Sequence, residues 1–250
     1  MNVLITGAGS GIGAATARLL AEREYTVAVT DLDGDAARRV ATDLGAYSTV
    51  LDVTSRESVR DGLLAAENAL GPLDCLVADA GVSSFVPFLE LSEADWNYIL
   101  GVNITGVFHC GQEFARRLVE LNRQGAIVNI ASMAGKQGRI PWLSHYAASK
   151  FAVVGLTQAM AFELAPYGIR VNSVCPGYVA TPMQEREVGW ESNLRQVTRE
   201  EVLQLYVSDT PLGRIESPQD VARVVAFLLG PDSAFVTGEA LAVNGGAYMD

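Results

Sequence analysis

The stretch Asn2-Val-Leu-Ile-Thr-Gly-Ala-Gly-Ser-Gly-Ile-Gly13 reads as a short apolar strand running into a glycine turn. An Ala/Leu-rich segment with helical periodicity follows it to Glu24. Strand, glycine turn and helix, in that order, form a cradle for phosphate groups. The glycines let the backbone turn tightly and approach a pyrophosphate. The helix N-terminus then aims free N–H groups and a partial positive charge at it. Glycine turns are often only turns; here the strand-to-helix context favours the cradle, with Gly7, Ser10, Gly11, Ile12 and Gly13 as its contacts.

Working outward, residues 25–30 (Tyr-Thr-Val-Ala-Val-Thr) form a second strand that ends at Asp31. An acid there can accept both ribose hydroxyls of an adenosine, and it repels a 2′-phosphate. Neither Ser10 nor Leu32 is basic, so the pattern favours NAD over NADP. Asp31 could instead cap the next helix, but Asp33 or Asp35 serves that purpose equally well. Helices are expected at 34–44, 55–70, 145–165, 198–208 and 218–229. A long or broken helix is expected over 92–122. Further strands are expected at 46–51, 73–78, 125–131, 169–175 and 240–243. Asp52 and Val53, after the third strand, suit the flank of an adenine, and Asp52 suits a helix N-cap as well. The β/α alternation predicts one α/β domain over residues 1–250, a doubly wound, parallel, seven-stranded sheet with helices on both faces. Residues 178–213 read as a polar insertion in it.

The 250 residues are 49% hydrophobic and 19% charged, enough for a large core, with a formal net charge of −11. That balance argues against nucleic acid and anionic membrane surfaces as partners. The longest uncharged run, Trp96 to Gln112, carries Asn97, Asn103, His109 and Gln112 and reads as a buried helix, not a membrane span. The first basic residue is Arg18, beyond the glycine turn, which argues against a leader and for a cytoplasmic location. Cys75, Cys110 and Cys175 lie in apolar segments and read as reduced core residues. His109 and His145 show no metal-ligand spacing, so no metal is expected.

The chemistry concentrates in Tyr146-Ala-Ala-Ser-Lys150, with Ser132 at the end of an apolar run. Tyr and Lys four apart share a helix face. An ammonium beside a phenol is expected to draw the tyrosine pKa from its ordinary ~10 toward neutrality, which suits proton exchange with an alcohol or carbonyl. Ser132 is placed to hold the same oxygen. Asn103, alone, reads as a buried core residue or a kink.

Taken together, these residues resemble the short-chain dehydrogenase/reductase family along essentially the whole chain. The Thr6–Gly13 turn looks like its cofactor loop, and Ser132, Tyr146 and Lys150 match its catalytic signature. Asn103 matches its fourth catalytic position. Pro176-Gly177, Val179 and Thr181 match the segment that packs on the nicotinamide. After the fourth strand this chain has Ala78-Asp79-Ala80-Gly81 where the family usually has Asn-Asn-Ala-Gly. Ala80 and Gly81 keep the close approach to the cofactor. Asp79 must find donors or have its pKa raised.

The resemblance implies a Rossmann-type fold and reversible hydride transfer between an alcohol carbon and NAD. Tyr146 would be the general acid/base. Lys150 would tune it and hold the nicotinamide ribose, Ser132 would orient the substrate oxygen, and Asn103 would hold a water on a proton path. It also implies a homotetramer, which the apolar faces of 104–118 and 151–162 fit.

The substrate walls are expected at 82–90, 133–145 and 178–212, with Met183–Arg195 a charged, mobile lid and Trp142 or Trp190 as pocket covers. Lys136, Gln137, Arg139 and His145 suit a hydroxyl-rich or anionic small molecule, although Lys136 and Arg139, taken singly, read as solvated loop residues. A polyol or sugar is favoured, and a 3-oxoacyl thioester or other small ketone is the runner-up. A nicotinamide-sensing protein without turnover would be expected to lose Tyr146 or Lys150; this chain keeps both.

Overall fold

The structure, a computed structural model, describes residues 1–249. Seven parallel strands form the sheet: β1 (Asn2–Thr6), β2 (Thr26–Asp31), β3 (Tyr47–Val50), β4 (Cys75–Ala78), β5 (Gly125–Ile130), β6 (Ile169–Pro176) and β7 (Ala240–Val243). Their spatial order is β3-β2-β1-β4-β5-β6-β7. The order reverses between β1 and β4, and a crevice opens there beyond the strands' carboxyl ends.

Both faces of the sheet are buried, because neighbouring residues on each strand serve opposite cores. Val3, Ile5, Val77 and Val128 join one cluster. Leu4, Leu76 and Ile127 join the other. The first cluster packs under α1 (Gly11–Glu22), α2 (Gly34–Leu44) and α9 (Pro218–Leu229). The second packs under α3 (Arg56–Leu70), α5 (Gly106–Glu120) and α6 (Ser144–Leu164).

The expected long helix over 92–122 is broken. α4 (Glu93–Leu100) passes through a π-helical turn at Gly101–Thr105 into α5. Such turns inside helices frequently mark functional sites. Asp33, not Asp31, caps α2, accepting from the N–H groups of Asp35 and Ala36. Ser55, not Asp52, caps α3. The segment expected as a mobile lid is a helix, α7 (Pro182–Arg195), which packs on α8 (Arg199–Ser208). Val188, Val202 and Tyr206 form a small apolar core of their own between the two. Among the described residues, no helix is long and apolar enough to cross a membrane.

Candidate active site

At the sheet's reversal point lies a cleft of about 980 Å³. Its floor is the β1–α1 turn. Gly7 has φ +66°, and a Cβ there would stand 2.7 Å from the Ala80 Cα, so only glycine lets this turn close on the β4 loop. Gly7, Ser10, Gly11 and Ile12 line the cleft. Gly13 does not. A Cβ on Gly13 would stand 2.6 Å from the Asp79 carboxylate, so this glycine permits close packing against the β4 loop.

The start of α1 has no side-chain cap, a feature it shares with α5 and α6. A side chain caps each of α2, α3, α4, α7, α8 and α9. Ser10 makes no side-chain cap, and the first turn of α1 holds no acid. The Gly13 N–H of this turn goes to the Asp79 carboxyl, and the open space beside Gly11, where Thr181 Cγ2 is the nearest atom at 3.4 Å from a built Cβ, leaves room for an anion at the N–H groups before it.

At one end of the cleft stand Asp31, Leu32, Asp52 and Val53, with no basic side chain among them. Asp31 already accepts from Gly9 N–H at 2.9 Å and Asp33 N–H at 3.0 Å, which fixes its carboxylate in place. Asp52 closes a turn by accepting from Thr54. At the other end, Ala80, Gly81, Ser132, Tyr146 and Lys150 face Pro176, Gly177, Val179 and Thr181. Glu216, which sequence reasoning passed over, accepts from Gly177 N–H at 2.9 Å and holds that segment in place.

Ser132 leaves β5 in extended conformation and accepts from Ala134 N–H at 3.1 Å. It also shares a hydrogen bond with the Tyr146 hydroxyl. Lys150 is buried, and its Nζ donates to the Ile130 carbonyl at 2.8 Å, 5.6 Å from the centre of the Tyr146 ring. The expected lowering of the tyrosine pKa is overturned. Burial holds the phenol above its ordinary value, and the negative charge of Glu187 adds to that, against the opposing bond to Ser132. The ammonium donates to the Ile130 carbonyl, the Asp79 charge favours it, and burial pushes Lys150 itself down to about 8.

Asp79 meets both expectations set for it. The Gly13 N–H and the Lys150 charge favour its carboxylate, yet burial dominates and pushes it up to about 7.

Asn103 lies behind the cleft in the π-helical turn, fully buried. Its Oδ1 accepts from Val82 N–H at 2.8 Å, and its Nδ2 donates to the Val82 carbonyl at 2.9 Å and to Ser149 Oγ at 3.1 Å. With both amide hydrogens committed to protein, the side chain braces the β4 loop against α6. His145 is likewise outside the cleft, bonded to Ser84 Oγ at 2.9 Å. Phe85 lines the cavity, together with Tyr98, Tyr146, Tyr178 and Tyr206, whereas Trp142 and Trp190 do not. Phe85 lies 6.3 Å from each tryptophan ring and links the β4 loop to α7. Among the described residues, no three His, Cys, Asp or Glu side chains group to hold a metal.

Residues 7–248 match the family model described as Enoyl-(Acyl carrier protein) reductase. The chain is 37% identical to a (3R)-3-hydroxyacyl-CoA dehydrogenase of Canis lupus familiaris, over 98% of this chain and 95% of the relative. It is 38% identical to a galactitol 2-dehydrogenase (L-tagatose-forming) of Cereibacter sphaeroides, over 97% of this chain and 92% of the relative. Its structure superposes on a sorbitol-6-phosphate 2-dehydrogenase from Erwinia amylovora with a TM-score of 0.94 at 34% identity, covering 99% of this chain and all of that one. With its doubly wound sheet and these relatives, the chain belongs to the short-chain dehydrogenase/reductase family and is an oxidoreductase enzyme of that type.

Proposed function

We propose that the protein is an NAD-dependent dehydrogenase acting on a secondary alcohol, favouring a polyol or sugar, with Tyr146 as general acid/base. The observation that carries this reading is the single cleft that joins the Ser132–Tyr146 hydroxyl pair to an uncapped helix N-terminus and to Asp31. The residues fit a dinucleotide: the α1 turn for the pyrophosphate, Asp31 for the adenosine ribose, and Pro176, Gly177 and Thr181 for the nicotinamide end. When bound, the oxidised nicotinamide supplies a hydride acceptor and a positive charge beside the phenol. Tyr146 takes the alcohol proton in oxidation and returns it in reduction. Ser132 holds the substrate oxygen beside that hydroxyl. Lys150, a positive group held rigidly by Ile130, favours the phenolate once it forms. Asn103 acts as a positioning residue through Val82 and Ser149.

Asp31, with no base beside it, supports NAD over NADP. Gln137, Arg139 and Arg186 on the substrate walls support a hydroxyl-rich substrate. Similarity to the hydroxyacyl-CoA dehydrogenase favours a second reading, reduction of a 3-oxoacyl thioester. Phe108, Phe151 and Phe162, exposed on α5 and α6, support a homotetramer.

The test is a screen of polyols, sugars, hydroxy acids and 3-oxoacyl thioesters, with NAD(H) and NADP(H) separately. Polyol-dependent NAD reduction is expected, with loss of roughly 10²–10⁴-fold in kcat for Tyr146→Phe. A clear NADP preference overturns the role of Asp31. Turnover confined to thioesters establishes the second reading.

A further inference from the structure

Helix α7 brings Gln184, Arg186, Glu187, Glu191 and Arg195 to the cleft wall, and of these positions 184, 187 and 191 are spaced to share one helix face. They are held very differently. Glu191 is committed: Arg195 Nε donates to it at 2.5 Å and the Tyr206 hydroxyl at 2.5 Å. Arg195 in turn lies 5.1 Å over the Trp142 ring, so this end of the helix is tied down.

Gln184 lines the cleft at 6% exposure, and neither its Oε1 nor its Nε2 has a hydrogen-bond partner. A buried amide left in that state is destabilising, which a ligand hydroxyl offsets by both donating and accepting. One helical turn on, Glu187 lines the same cavity. Its charge reaches the Tyr146 phenol and is, after burial, the largest influence on it. Ser83 faces Glu187 from the β4 loop, and its Oγ likewise has no well-formed partner. Burial pushes the Glu187 carboxyl up to about 7.

We propose that Gln184 and Glu187, with Ser83 opposite, form a hydroxyl-binding subsite that holds a neighbouring hydroxyl of the substrate beside the carbon oxidised at Tyr146. The subsite specifies an uncharged polyol. A hydroxyl donates to the Glu187 carboxylate or to Gln184 Oε1 and accepts from Gln184 Nε2 or Ser83. An anionic group beside the reacting carbon meets the Glu187 charge, and a plain hydrocarbon leaves the buried amide unmet. This assignment rests on the polyol reading above.

The experiment compares kcat/KM for a hexitol and for a secondary alcohol of similar size with no second hydroxyl, in the intact enzyme with saturating NAD. The wild type is expected to prefer the hexitol at least 100-fold. In Glu187→Leu the hexitol-to-mono-ol ratio is expected to fall at least 20-fold, mainly through the hexitol KM, and Glu187→Gln, which keeps an acceptor, recovers part of it. Gln184→Leu is expected to lower the ratio as well, and it carries the test if Glu187→Leu fails to fold. A ratio within threefold of wild type in both leucine variants overturns the subsite and leaves the polyol reading intact. A wild type inactive on every polyol overturns both.

Discussion

Asp79 is the residue at which this chain departs most sharply from its resemblance, and its chemistry follows from its neighbours. It sits half-buried against Gly13 with Lys150 as its favourable charge. An ordinary aspartate ionises near 3.8, whereas this one is pushed up to about 7. Between those values the native chain holds a proton that the unfolded chain has released, so stability falls as pH rises from about 4 to about 7. The loss is complete above that range and absent below it. Asp79→Asn keeps an acceptor for the Gly13 N–H and removes the titration. Its stability gain over wild type in urea unfolding is expected to grow from near zero at about pH 3 to on the order of 2–4 kcal/mol at pH 8. A gain that does not change with pH would show that the carboxyl ionises normally.

At the scale of elements, the π-helical turn between α4 and α5 positions the site from behind. The turn places Asn103 where one side chain takes both backbone groups of Val82 and reaches Ser149 on α6. Asn103→Ala leaves the Val82 N–H and carbonyl unmet in a half-buried place. It is expected to destabilise the protein by ~2–4 kcal/mol and to speed hydrogen exchange at Val82 and along the 82–90 loop. Unchanged exchange there would mean the loop is held by other contacts.

The strands, most helices and the glycine turn were legible in the sequence, because each rests on a local pattern: continuous apolar runs on β1, β4 and β5, and the run of glycines between β1 and α1. α7 was not legible as a helix. Its buried positions include Gln184 and Glu191, so it has no apolar stripe to read. The Tyr146–Lys150 spacing correctly predicted a shared neighbourhood. The sign of the tyrosine shift escaped, because burial and the distant Glu187 decide it, and neither is visible in a four-residue spacing.

For the whole molecule, the question is what covers the apolar surface opposite the cleft-forming loops. α5 and α6 bury one face on the sheet through Phe114, Leu118 and Val153, and leave Phe108, Phe151 and Phe162 in solvent, the last 85% exposed. Burying one such ring contributes ~1.5–3 kcal/mol, and several together on adjoining helices suffice to drive association. The net charge of −11 on each protomer opposes it. That repulsion is screened over ~8–10 Å at physiological salt, whereas apolar contact is not weakened by salt. Light scattering at micromolar protein in 150 mM salt is therefore expected to give a mass near four times the protomer's, with partial dissociation as salt is withdrawn. Phe162→Asp places a further charge in that face and should yield smaller species that still melt cooperatively, since the side chain makes no part of the protomer's core. A wild type that stays monomeric at both salt concentrations would mean that this face is left to a different partner or to solvent.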